Sequence, residues 1–171
     1  MSQQRAFTDI PLPTRSEKPR NTGLTMMIDW GLPLGQQKDV LESASDYIDM
    51  AKVAATIPAL LPEEVLKKKL AIYSGAGIGT SQGGLYTEYA YVHGKTEPLF
   101  AEIARLGFTA VEISDNLLNW SLGEKRQTIR TAIEDFGLKV LGEVGRKGGA
   151  MTDDEIIADL AQLGGNCCNS A

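Results

Sequence analysis

The stretch Phe108-Thr109-Ala110-Val111-Glu112-Ile113-Ser114-Asp115 decides how this chain reads. An apolar run ends there in two carboxylates. Residues 138 to 147, Leu-Lys-Val-Leu-Gly-Glu-Val-Gly-Arg-Lys, repeat the design with Glu143 near the end. A strand buried in a parallel sheet wants Val, Ile and Leu throughout. A charge near its C-terminal end costs desolvation unless it meets a metal, a partner or a substrate. In parallel α/β folds those ends form the ligand-binding face. The plain alternative is that Glu112 and Glu143 only cap strands or pair with nearby lysines.

Working outward, the same unit recurs. Strands are expected at 24–29, 47–53, within 72–84, at 109–114 and at 138–144. Helices are expected at 36–45, from Pro62-Glu63-Glu64 onward, at 87–92 running into 96–106, at 122–136 and from Asp153. Early acids at Glu63 and Glu64 suit the helix N-terminus, Gly107 suits a C-cap, and Thr152 with Glu155 suits a capping box. The basic triplet Lys67-Lys68-Lys69 reads as a solvated helix face. The glycines of 75–84 fail the spacing of a dinucleotide fingerprint. They read as a turn plus loop, with backbone amides facing a phosphate or carboxylate as the rival reading. Strand and helix alternate five times, which implies an α/β parallel sheet with right-handed crossovers. Asp29, Lys52, Glu112, Asp115, Glu143 and Lys147 all fall at or just beyond strand C-terminal ends. That recurrence points to a site.

Bulk properties narrow the function. The 171 residues suffice for one domain with a sizeable core, and 43% hydrophobic and 23% charged residues are ordinary for a soluble globular chain. A net charge of -5 and the lack of a basic stripe argue against a nucleic-acid partner. No apolar stretch approaches a membrane span, and residues 1–20 show no signal-peptide core. The expected location is the cytoplasm. Cys167 and Cys168 are adjacent and form no CxxC pattern, and His93 is the one histidine, so neither a zinc site nor a Ser-His-Asp triad is supported.

The residues carrying the charges resemble a known family. Gly23 to Asp29 (Gly-Leu-Thr-Met-Met-Ile-Asp), Asp46 to Lys52 (Asp-Tyr-Ile-Asp-Met-Ala-Lys), Leu106 through Val111-Glu112-Ile113-Ser114-Asp115, and Val140-Leu141-Gly142-Glu143-Val144-Gly145 resemble the phosphosulfolactate synthase family. The likeness runs from about Gly23 to Lys147. It implies a (β/α)8 TIM barrel whose founding members add sulfite to phosphoenolpyruvate with Mg2+, on the route to coenzyme M. By that resemblance, Glu112 and Glu143 are the metal anchors with Asp115 or Asp29 helping. Lys147 is the acid/base group, Lys52 and Arg146 hold phosphate or sulfite, and Asp29 adds to the substrate site. The implied partner is a small anionic substrate, with a homo-oligomer left open.

Two departures qualify the transfer. The synthases carry a Gly-Trp-Gly-Thr-Ser-like loop after the second-strand lysine, where this chain has Val53-Ala54-Ala55-Thr56-Ile57. Their Pro-Gly-Gly-Thr becomes Gln82-Gly83-Gly84-Leu85. Eight strands also need about 250 residues. The chain is therefore expected to hold an arm at 1–22, a partial barrel of about five units at 23–160, and a tail at 161–171 unlike the family, as an early stop, splice change or frame shift would leave. Weak or no activity without a second chain is the corresponding expectation. The competing classes are a metal-dependent enzyme on another small phosphorylated acid, and a non-catalytic, stress-associated or protein-binding relative. A further alternative keeps Lys52 as a salt-bridge partner of Glu143.

Overall fold

Five four-residue strands alternate with helices along the chain, in a computed structural model that describes residues 6–7, 9–11, 13–145 and 149–164. The order is β1 (Met26–Asp29), α1 (Leu34–Ala44), β2 (Met50–Val53), α2 (Ile57–Leu60), α3 (Glu63–Gly75), β3 (Gly79–Gln82), α4 (Gly84–Val92), α5 (Thr96–Leu106), β4 (Ala110–Ile113), α6 (Leu122–Glu134), β5 (Lys139–Gly142) and α7 (Asp153–Gly164). All neighbours pair in parallel, in the sequential order β1-β2-β3-β4-β5. Sequential parallel strands with intervening helices are the arrangement of a TIM barrel. These five form part of one, with β1 and β5 at the two ends of the sheet.

The expected elements are present with shorter strands. The helix after Pro62 runs on through Gly75, so the third strand begins only at Gly79. A one-turn helix, α2, follows Thr56, where only a break was expected. Residues 87–106 form two helices, divided at Gly94, whose φ of 61° a helix does not admit. Gly107 ends α5 in the left-handed region at φ 92°. Ser121 and Glu124 close a capping box on α6, and Thr152 and Glu155 make the corresponding hydrogen bonds at α7.

The helices cover one face of the sheet. Ala51, Val53, Val111 and Ile113, which share that face by register, pack with Leu66, Leu70, Phe100, Ile103 and Ile129 from the helices, or with Leu41 and Tyr73. On the other face Met26 and Ile28 are 44% and 46% exposed. That face carries Lys52, Ser81 and Glu112 at the middle of the sheet. The segment before β1 forms no helix or strand among its described residues. It is tied to the sheet's N-terminal end by Arg15 and Arg20, whose guanidiniums lie 3.0 and 2.7 Å from the Asp49 carboxylate. No helix among the described residues is long and apolar enough to cross a membrane.

Candidate active site

Lys52, at the third position of β2, reaches across β3 to Glu112 of β4. Its Nζ donates to Glu112 Oε1 at 2.7 Å. Both side chains are largely buried, at 15% and 7% exposure. The other carboxylate oxygen, Oε2, accepts the backbone N–H of Gly84 at 2.6 Å. Ser81, on the strand between, is wholly buried, and its hydroxyl has no partner among the described residues. The anionic partner of Lys52 is therefore Glu112, not Glu143 as the salt-bridge alternative had it.

Both glycines at the start of α4 sit where a side chain would clash, Gly84 against this site and Gly83 against the β2–α2 backbone. A Cβ on Gly84 would stand 2.2 Å from Ser114 Oγ and 3.2 Å from Glu112 Cγ, and one on Gly83 would stand 2.7 Å from Ala55 N. The turn reading holds: Gly77, at φ 65°, makes the turn that follows α3. The Gly84 amide is taken by the protein's own Glu112.

Glu143 follows β5. Its N–H donates to Ile113 O at 3.0 Å, which continues the strand pairing and keeps its side chain on the same face as Leu141 and Glu112. Asn116 Nδ2 donates to Glu143 Oε2 at 3.1 Å. Two acidic side chains from neighbouring strands thus share the face that Lys52 occupies.

Two of the expected site residues are elsewhere. Asp29 alternates onto the helix-covered face and is wholly buried there. Lys69 Nζ and Tyr73 Oη donate to its Oδ2 at 2.6 and 2.7 Å, and the N–H groups of Gly31 and Leu32 donate to Oδ1, each at 2.8 Å. With both oxygens satisfied it anchors the β1–α1 loop to α3 and does not join the substrate site. Burial alone would raise its pKa. The hydrogen bonds from Lys69, Tyr73 and Leu32 and the charge of Lys69 outweigh that and hold it below the ordinary carboxylate range. The same burial and the neighbouring carboxylate push the Tyr73 phenol well up, so it stays a donor.

Asp115 turns toward α6. Its Oδ2 lies 3.2 Å from Lys125 Nζ, which also donates to Glu143 O at 2.6 Å. Among the described residues no three His, Cys, Asp or Glu side chains gather where one ion could bridge them. The expected Glu112–Glu143–Asp115 set is thus not gathered: Asp115 faces Lys125 through Oδ2, and its buried Oδ1 has no hydrogen-bond partner among the described residues. Glu112 and Glu143 remain as the acidic pair. Mg2+ commonly takes one or two carboxylates and completes its shell with water and substrate oxygens; Glu112 could serve as one of them only by sharing an oxygen now held by Lys52 or the Gly84 amide. Arg146 and Lys147 lie outside the described residues, as does the tail from residue 165.

Several participants carried no clear signal in the sequence. Glu88, on α4 and 2% exposed, accepts from Ser114 Oγ and from the N–H groups of Asn116, Leu117 and Leu118, the last three at 2.8–2.9 Å. Burial would raise its carboxyl, but these hydrogen bonds, with Ser114 the strongest and Leu117 next, hold it low. Lys69 had a faint signal. It shares helical spacing with Leu66, Leu70 and Tyr73, all buried, so the triplet is not wholly a solvated face. A cavity of about 520 Å³ opens among α2, α3, α4 and α5, lined by Leu66, Tyr86, Tyr89, His93, Leu99 and Phe108. It lies in the helical layer, away from Lys52 and Glu112.

The chain is similar in sequence to known proteins. A sequence model of the family described as (2R)-phospho-3-sulfolactate synthase (ComA) matches residues 13–170. The phosphosulfolactate synthase of Methanocaldococcus jannaschii is 42% identical over 125 residues, 73% of this chain and 49% of that protein. That of Methanothermobacter thermautotrophicus is 36% identical over 140 residues, 81% of this chain and 54% of that protein. The Bacillus subtilis protein of the same name is 33% identical over 138 residues, 81% of this chain and 53% of that protein. The chain spans about half the length of these relatives. It belongs to the (2R)-phospho-3-sulfolactate synthase (ComA) family.

Proposed function

We propose that this chain carries the Lys52–Glu112–Glu143 side of a site that adds sulfite to phosphoenolpyruvate, giving 2-phospho-3-sulfolactate. The observation that supports it most is the buried lysine–carboxylate contact on the strand face left uncovered by helices, in a member of this family. Sulfite sulfur forms a bond to the methylene carbon, and the π electrons move onto the substrate carboxylate as an enediolate. A proton then goes to the carbon bearing the phosphate. Charge appears on carboxylate oxygens during the step, so fixed positive groups aimed there lower the barrier.

Lys52 supplies one such group. Its ammonium is held by Glu112, which fixes its position before substrate arrives. As an anion enters, Lys52 shares its three donors between Glu112 and the ligand. Glu112 is itself held by the Gly84 amide, so the lysine pivots on a rigid partner. Glu112 and Glu143 would hold Mg2+, which when bound supplies further positive charge to substrate oxygens. By resemblance Lys147 delivers the proton and Arg146 grips an anionic group.

The test is calorimetric titration of phosphoenolpyruvate into the chain, beside Lys52→Met. The reading expects saturable binding that weakens tenfold or more in the variant. Equal binding by both, or none by the wild-type chain, would set it aside.

A further inference from the structure

The acidic side of the site hangs on one helix. Gly84 at the start of α4 donates to the Glu112 side chain, and Thr87 Oγ1 donates to the Glu112 carbonyl at 2.9 Å. One residue further, Glu88 gathers Ser114, Asn116, Leu117 and Leu118 around a single buried carboxylate. A loop that leaves a strand normally satisfies its amides with water or with its own turns. Here three N–H groups within 116–118 converge on a side chain 26 or more residues away in sequence. One of these residues, Asn116, points its amide at Glu143.

We propose that Glu88 is a positioning residue for Glu143: it fixes the loop 114–118, the loop fixes Asn116, and Asn116 fixes the Glu143 carboxylate. The route from Glu88 to Asn116 to Glu143 is made of hydrogen bonds of 3.1 Å or less, and Ser114 and Asn116 are both buried. Gln at position 88 keeps the size but supplies one acceptor oxygen for four donors. It also turns an NH2 group toward backbone N–H groups, so it cannot hold the loop. The carboxylate rather than the shape is therefore what the loop requires. Glu88 touches neither Lys52 nor Glu112 in any hydrogen bond among the described residues, and its hydrogen-bonded route to Glu143 runs through Asn116.

The experiment reads the Asn116 side-chain amide by nuclear magnetic resonance in the isotope-labelled chain. Removing the acceptor with Glu143→Ala moves that signal, and this sets the scale. Glu88→Gln is expected to move it to the same place, whereas Tyr91→Phe, which breaks the exposed α4–α6 contact to Glu124, leaves it alone. An unmoved signal in folded Glu88→Gln overturns the proposal. If that variant does not fold, Ser114→Ala combined with Glu88→Asp decides. Ser114→Ala cannot by itself release the loop, which the three backbone amides still hold, but the shorter side chain of Glu88→Asp draws the carboxylate away from those amides. The pair should move the signal the same way, and an unmoved signal again overturns the proposal. The turnover consequence rests on the proposed function. Glu88→Gln should lower kcat with phosphoenolpyruvate and sulfite roughly ten- to a hundredfold, and adding Asn116→Ala should lower it no further. Additive losses would mean that Glu88 acts by another route. Absence of turnover in the wild type would count against the function, while the amide signal still judges the positioning.

Discussion

Replacing Asp29 with Leu should cost this chain about 5 kcal/mol of stability, because it leaves the ammonium of Lys69 buried without its anion. Both groups are almost fully enclosed, at 0% and 1% exposure. Without Asp29, Lys69 keeps only the carbonyl of Leu32 at 2.7 Å and a distant Gln37 Oε1 at 3.4 Å. The amides of Gly31 and Leu32 and the Tyr73 hydroxyl lose their acceptor as well. Lys69→Met should cost less, about 3 kcal/mol, since Asp29 still receives three hydrogen bonds. The double variant should lose less than the two singles summed, because no unpaired ion remains. Urea unfolding followed by circular dichroism gives these values. By heat, each kcal/mol in a domain of this size lowers Tm by roughly 2–4 °C. Acid should reproduce the effect. A carboxyl held below its ordinary range contributes stability above the unfolded pKa of about 4, and that contribution is lost as pH falls through the folded value. Should Asp29→Leu unfold like wild type while losing phosphoenolpyruvate affinity, Asp29 would belong to the substrate site and the anchoring argument would fail.

Other expectations follow from single contacts. Gly84→Ala should cost about 1–3 kcal/mol and disturb Glu112, because its Cβ would overlap Ser114, which cannot retreat from Glu88; thermal melting checks it. Ala55 holds φ 46°, in the loop where the family's second glycine would fall. Ala55→Gly should therefore stabilise the chain by up to about 1 kcal/mol, and an unchanged or lower melting point would refute this. Ser121→Ala removes the α6 capping box and should cost about 1 kcal/mol in the same assay. Asp49→Ala should free the segment before β1 from Arg15 and Arg20, and limited proteolysis should then cut between residues 13 and 25 faster than in wild type.

The alternation of strands and helices was legible because hydrophobic period and turn residues are local. Gly107 and the Thr152–Glu155 cap could be placed to the residue for the same reason. The place of Glu112 and Glu143 near the C-terminal ends of successive strands was legible too, since each stands near the end of an apolar run. Partners across the fold were not. Asp29 and Glu112 look alike in sequence, each an acid at or near a strand end. Yet one position of pleat sends Asp29 under α3 and keeps Glu112 on the open face. Glu88 sits among Tyr86, Tyr89 and Tyr91 in a helix, and nothing in those neighbours says that a loop 26 residues on will wrap it. Lys69 hid inside a run of three lysines whose spacing alone separates the buried one from the exposed pair.

The account turns on whether Lys52 and Glu112 face a reacting anion. Incorporation of labelled sulfite into an organic sulfonate, with phosphoenolpyruvate and Mg2+ and with the chain either wild type or Glu112→Gln, measures this directly. The account predicts incorporation above the protein-free rate that requires phosphoenolpyruvate and falls about a hundredfold or more in Glu112→Gln. Incorporation at the same rate in the variant, or none from the wild-type chain, would contradict it.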